Sequence, residues 1–193
     1  MNLSILAYGN CILKQKCLQI EENTPDLQTL IADMWDTMEN ANGCGLSSSQ
    51  IGKPLQLFIT DSQVAFENFD SEDRILYFEK NDKGIKETFI NAKIIHTSEE
   101  TWEDYEGCLS IPGLSQKVNR PWEITIEYLN QDFIKHTKVF TGLTARIIQH
   151  EYDHTQGILY TDRLKPLTKK LMESKLKKIV CGNIAVGYPM KFL

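Results

Sequence analysis

No stretch of 18 apolar residues occurs in this chain, so no segment reads as a helix able to cross a bilayer. The opening residues, Met1-Asn2-Leu3-Ser4-Ile5-Leu6-Ala7-Tyr8-Gly9, lack both a basic region and a long apolar run. That argues against a signal peptide and makes a cytoplasmic location the expectation. Cysteine is sparse and odd in number: Cys11, Cys17, Cys44, Cys108 and Cys181 are scattered without paired spacing. This excludes a disulfide framework, so no disulfide partner is expected, and at least one thiol is free for chemistry or metal. An excess of positive charge is missing too. The net charge of -5 argues against a general nucleic-acid binder. Internal repeats and low-complexity stretches are absent.

What remains is the composition of an ordinary globular protein, 41% hydrophobic and 24% charged. A length of 193 residues fits one domain with one sizeable core. Charge is distributed unevenly. From Leu164 to Leu193 seven lysines face a single acid, Glu173, giving a tail of +6 and leaving the first 163 residues at -11. The expectation is one domain over 1–193, with a basic C-terminal helix and tail from about 165.

Thr24 to Ala41 predicts a helix, with Thr24 as N-cap and Pro25 in the first turn. Leu27, Leu30, Ile31, Met34 and Met38 supply one apolar face, and Asn42-Gly43 ends it. Gly43 to Gly52 reads as a Gly/Ser-rich loop, and Leu55 to Thr60 as a short strand. The polar stretch 61–86 offers one apolar run, Ile75-Leu76-Tyr77-Phe78, read as a strand, before a turn at Asn81-Asp82-Lys83-Gly84. Glu87 to His96 predicts a strand. Pro121 to Asn130 alternates at Ile124, Ile126 and Tyr128, and Asn130-Gln131-Asp132 turns it into Phe133 to Phe140 as a hairpin. A second helix runs from Thr141-Gly142-Leu143 to Gln156, where Gly157 stops it. A third covers Leu167 to Val180, and Asn183 to Phe192 reads as a terminal strand. Strands and helices without βαβ alternation indicate α+β.

The second helix carries His150-Glu151-Tyr152-Asp153-His154. Residues at i and i+4 share a helical face, so both imidazoles can reach one ion. Glu151 then stands beside the first ligand, placed to touch a water there. This H-E-x-x-H pattern is that of metallohydrolase helices, with the carboxylate as general base. It also arises by chance on a helix with two surface histidines. The preceding Ala145-Arg146-Ile147-Ile148-Gln149 reads as an apolar flank, and a polar cluster in an apolar helix must find partners. A catalytic tetrahedral site needs a third protein ligand. His96, His136 and the cysteines are the candidates. Cys108 sits in Glu106-Gly107-Cys108-Leu109-Ser110-Ile111-Pro112-Gly113, dense in backbone punctuation. A buried free cysteine is more often simple packing, and spacing alone does not choose Cys108 over Cys44.

Three segments, Gly43-Cys44-Gly45-Leu46-Ser47-Ser48-Ser49-Gln50, Glu106-Gly107-Cys108-Leu109-Ser110 and Gln149-His150-Glu151-Tyr152-Asp153-His154, resemble the signature motifs of peptide deformylases, in the family's order. The likeness extends through Leu6-Ala7-Tyr8-Gly9 and Gly157-Ile158-Leu159-Tyr160-Thr161-Asp162-Arg163-Leu164, covering roughly residues 3–164. It implies antiparallel sheets packed around a central helix bearing H-E-x-x-H. It implies hydrolysis of the N-formyl group from the formyl-methionine of nascent polypeptides, with release of formate. By this resemblance Cys108, His150 and His154 are metal ligands and Glu151 is the acid/base. Gln50 and the Leu109 N–H face the oxyanion, and Gly45 meets the substrate backbone. The family's metal is usually Fe(II), with Zn or Ni also accommodated. Cys44, Leu143 and Ile147 are candidates for the methionine pocket, or plain core. Glu106 and Arg120 are candidates for an ion pair bracing the Cys108 loop, or two solvent charges. Asp153 either orients an imidazole or is an ordinary helix-face acid. Two serines, Ser47 and Ser48, stand where the family commonly has alanines, and Asn10-Cys11 where it commonly has Asp-Pro. Each added hydroxyl needs a partner if buried. The lysines of the tail either solvate a helix face or contact ribosomal RNA near the emerging substrate. A zincin-type endopeptidase and a non-catalytic metal protein are the rival readings.

Overall fold

A computed structural model describes residues 1–193, in which strands and helices interleave with antiparallel pairing dominant. Strand β1 is Ile5–Leu6. Helix α1, Leu27–Asn40, buries Leu27, Ile31, Met34 and Met38 along the face read from the sequence. It starts later than Thr24 because Asp26 takes a left-handed backbone, φ 58°, which no helix interior accepts. The supposed loop after it holds β2, Gly45–Ser47, followed by a 3-10 turn over Ser48–Ile51. Strand β3 is Leu57–Asp61.

Residues 61–86 contain two short helices, α2 at Gln63–Asn68 and α3 at Ser71–Tyr77. The strand expected at Ile75–Phe78 is therefore wrong. Asp70 caps α3 by accepting from the N–H groups of Glu72 and Asp73, both at 2.9 Å, and a short apolar run does not by itself distinguish strand from helix. Phe66, Phe69, Tyr77 and Phe78 then stack among themselves, and Tyr77 leans on Trp102.

Strand β4, Lys86–Thr97, is followed by a hairpin the sequence did not disclose: β5, Thr101–Cys108, and β6, Ile111–Pro121. Next come β7, Glu123–Leu129, and β8, Lys135–Thr141, paired as the expected hairpin. In β7 the residues Ile124, Ile126 and Tyr128 are buried and their neighbours half-buried, which is the period-two signature of a sheet covered on one side. A five-stranded antiparallel sheet runs β2-β3-β4-β7-β8. Where β4 bulges, Asn91 adopts φ 50° and its amide holds Ile20 by both backbone groups, at 2.8 and 2.7 Å.

Helix α4, Gly142–Thr155, lies against β2, β3 and β8. Phe58, Phe89, Ile124, Ile126, Ala145 and Ile148 fill the space between it and the sheet. Both ends of α4 are pinned by close backbone approach. A Cβ on Gly142 would meet the Tyr77 carbonyl oxygen at 2.3 Å, and one on Gly157 would meet that of Lys14 at 2.6 Å. Both glycines also have positive φ. Helix α5, Pro166–Val180, buries Met172, Leu176 and Ile179 against Ile111 and Val118 of the β6 hairpin. The terminal strand shrinks to β9, Met190–Lys191, parallel to β1. No helix is long and apolar enough to cross a membrane.

Candidate active site

The hairpin β5–β6 does not close regularly. Its register shifts between Gly107 and Cys108, so that Cys108 faces Ile111 across a tight turn. Such a shift re-aims one side chain. Here it turns the Cys108 sulfur toward α4, where Sγ lies 3.3 Å from His154 Nε2. On α4 the one-turn spacing brings His150 and His154 edge to face, ring centroids 5.1 Å apart and planes at 75°. One donor atom from each of Cys108, His150 and His154 falls within 4.8 Å of the others. His96 and His136 lie on β4 and β8, away from this group, and Cys44 is not part of it.

The donor chemistry fits a divalent ion of borderline softness: one sulfur and two ring nitrogens, with a third-ligand geometry that leaves a corner free in a tetrahedral site. His150 Nδ1 is engaged by Glu106 Oε2 at 3.0 Å, which leaves its Nε2 for the group's interior.

Glu151 follows His150 on the helix and is buried, with one carboxylate oxygen lacking any hydrogen-bond partner. Burial pushes its carboxyl up to about 7, against the pull of His150 and Arg120. Gly45 comes so close that a Cβ there would meet Glu151 Oε1 at 2.5 Å. Gln50 is locked by its own turn: Oε1 accepts from the Ser47 N–H at 2.9 Å, which aims Nε2 outward, 3.5 Å from Cys108 Sγ and 3.2 Å from Ser110 Oγ. The hydroxyls of Ser47 and Ser48 both find partners, Ser49 Oγ at 3.3 Å and the Leu55 carbonyl at 2.8 Å. Leu109 is held by the tail, where the Tyr188 hydroxyl donates to its carbonyl at 2.7 Å.

A cleft of about 1090 Å³ opens over this group. Cys44, Gly45, Gln50, Glu106, Cys108, Leu109, Leu143, Ile147, His150 and Glu151 all line it, with Val64, Ala65 and Phe69 on the α2 side. His154 is buried beneath, and Arg120 is buried behind Glu106. Glu106 and Arg120 meet through two parallel hydrogen bonds, 2.5 and 2.8 Å, so the pair exists and is not solvated. Burial pushes the Glu106 carboxyl up, but Arg120 and His150 outweigh it and hold it well below the usual carboxylate range. Asp153 bridges Arg120, at 2.8 Å, and Arg163, at 2.5 Å through each oxygen.

Sequence reasoning missed Arg146. By sequence 145–149 reads as an apolar flank, yet Arg146 and Gln149 are buried polar residues with partners. Gln149 donates to the Pro121 and Ala145 carbonyls, at 3.1 and 3.2 Å. The signal for Arg146 is its spacing: four residues before His150, it shares that residue's face of the helix.

A family profile described as Polypeptide deformylase matches residues 2–170. The peptide deformylase of Flavobacterium johnsoniae is 45% identical over 192 residues, covering all of this chain and 96% of that protein. That of Christiangramia forsetii is 44% identical over 194 residues, covering all of this chain and 96% of that one. Among solved structures, peptide deformylase from Ehrlichia chaffeensis superposes with a TM-score of 0.81 at 28% identity, covering 96% of this chain and all of that one. The Legionella pneumophila enzyme gives 0.75 at 31% identity, over 92% and 95% of the two chains. The chain belongs to the peptide deformylase family, metal-dependent hydrolases that remove the formyl group from N-formylmethionine.

Proposed function

We propose that residues 1–193 form a single catalytic unit organised around α4 as its central helix. In it Cys108, His150 and His154 hold one divalent ion, Fe(II) by family precedent with Zn or Ni as substitutes. The observation that carries this reading is the gathering of three donor atoms within 4.8 Å at the floor of a cleft that also presents Gln50 and Glu151. When bound, the ion supplies Lewis-acid polarisation of the formyl carbonyl and lowers the pKa of an attacking water towards about 7. Glu151 takes the proton from that water and later hands it to the departing amine nitrogen. The Gln50 amide and the Leu109 N–H donate to the formyl oxygen as negative charge develops on it. Such a donor is worth roughly 100- to 1000-fold in rate. Gly45 lies beside Glu151 on β2, where a substrate backbone can approach without meeting a side chain. Cys44, Leu143 and Ile147 line the cleft and receive the methionine side chain.

The partners are N-formylmethionyl nascent peptides, met in the cytoplasm. The lysines of α5 offer a contact to the ribosome, supported by the exposure of Lys170, Lys175, Lys177 and Lys178 and by the tail's charge of +6. The test is a pair of peptides, one formyl-methionyl and one unblocked. Formate release from the first alone, with every internal bond intact, is the expected result. Internal cleavage of either peptide would replace this reading with that of an endopeptidase.

A further inference from the structure

We infer that Arg146 is a positioning residue for the metal site, acting on His150 through Glu106. The inference rests on the reading of Cys108, His150 and His154 as ligands. Arg146 is 2% exposed and lies in the second turn of α4. Its Nη1 donates to Glu106 Oε1 at 2.7 Å and to the Val118 carbonyl at 2.9 Å. Its Nη2 donates to the Trp102 carbonyl at 2.8 Å, and the guanidinium stacks 4.1 Å over the Trp102 ring. One side chain thus ties β5 and β6 to the helix that bears both imidazoles.

Two arginines therefore share one carboxylate, and they do different things. Arg120 takes both Glu106 oxygens side by side, which fixes the plane of the carboxylate, and is itself held by Asp153 at 2.8 Å. Arg146 adds a second donor to Oε1 only. With Oε1 held from two directions, Oε2 is left aimed at His150 Nδ1, and the imidazole ring is oriented by it. Arg146 and His150 are also one helical turn apart, so the guanidinium and the ring it orients are carried by the same rigid segment.

A merely structural arginine would lower stability and leave the ion's environment alone. The experiment therefore reads Co(II) itself. Wild type, R146M, R146K and E106Q are purified without metal, loaded with Co(II), and compared by chelator competition and by the visible absorption of the thiolate-bound ion. The expected result is about tenfold weaker Co(II) binding and a displaced spectrum in R146M, at the low end of the range for residues that orient ligands. R146K, which keeps the charge but not the fork, should recover part of the loss. The double variant R146M/E106Q should bind no worse than E106Q, because the effect passes through Glu106. A cavity variant in α1, M34A, serves as control: it should lower Tm and leave Co(II) affinity unchanged. Wild-type affinity and spectrum in R146M, or additive losses in the double variant, would overturn the assignment. Should R146M not fold, R146K with unaltered affinity and spectrum overturns it equally. Failure of the wild type to bind Co(II) would instead sink the metal reading itself.

Discussion

Replacing Gly45 by alanine isolates the contact between β2 and Glu151. The added Cβ would stand 2.5 Å from Oε1, 2.7 Å from Cγ and 2.8 Å from Cδ of Glu151. Ordinary van der Waals contact begins near 3.4 Å, so three atoms of one side chain must retreat by about 0.6 to 0.9 Å. The backbone of β2 cannot give instead, because Gly45 is paired with Thr60 in the sheet. Glu151 is a side chain and can swing, so the fold should survive with a cost of about 1 to 3 kcal/mol, as for overpacking elsewhere. A displacement of this size at a proton-transferring carboxylate costs on the order of 100-fold in rate. Steady-state formate release from a formyl-methionyl tripeptide, run beside metal analysis and thermal unfolding, measures all three. The expected pattern is kcat down about 100-fold with full metal content. A variant with kcat within threefold of wild type would refute the idea that the position of Glu151 is set by the missing side chain at residue 45.

Glu151→Ala should lose about 100- to 10,000-fold in kcat while keeping metal and Tm, because it removes the proton carrier and none of the three donors. Gln50→Ala should lower kcat by roughly 100-fold with little change in KM, which steady-state kinetics separates directly. Asp162 gives the pH test. Its carboxyl is pushed up by burial but drawn below 3.8 on balance by Lys14, the Leu159 N–H and Lys169, the last two at 2.9 Å. A depressed folded value means that its stabilisation is complete above the unfolded value and is lost as pH falls through the folded one. Asp162→Asn should therefore be less stable than wild type by about 1 kcal/mol at pH 7, in urea titrations, with the gap closing in strong acid.

The parts of the site legible in the sequence were those carried by short-range spacing. The i, i+4 rule brought His150 and His154 together, and the Gly157 stop ended their helix where the chain needs a left-handed residue. The third donor was not legible that way. Cys108 reaches α4 only because the hairpin slips register by three positions after Gly107, and nothing in the local composition distinguishes that slip from an ordinary turn. Family resemblance supplied Cys108, whereas residue chemistry alone left Cys44 equal to it. The hairpin itself went unread because β5 and β6 alternate half-buried with exposed residues instead of apolar with polar ones: Trp102, Asp104 and Glu106 face inward and Glu103 and Tyr105 outward. The α2–α3 segment failed for a related reason, since Ile75 and Leu76 are 83% and 62% exposed and bury nothing that a pattern could report.

The buried charges explain why apolar patterning has so little hold on this region. Removing Glu106, Arg120, Asp153 and Arg146 from water carries a penalty of several kcal/mol per ion, offset only when each finds partners. Here each does: the carboxylates accept from three guanidiniums and one imidazole, and the Arg146 Nη1 and Nη2 groups also donate to strand carbonyls, leaving only its Nε without a partner. Apolar side chains of similar volume would pack the same space with less electrostatic cost. They would not fix the direction of His150 Nδ1. On the proposed reading of Cys108, His150 and His154 as ligands, the cluster is better understood as setting their orientation than as holding the fold together: Arg146 and Asp153 lie on α4 with the two imidazoles, and Glu106 and Arg120 on the two strands of the hairpin that presents Cys108.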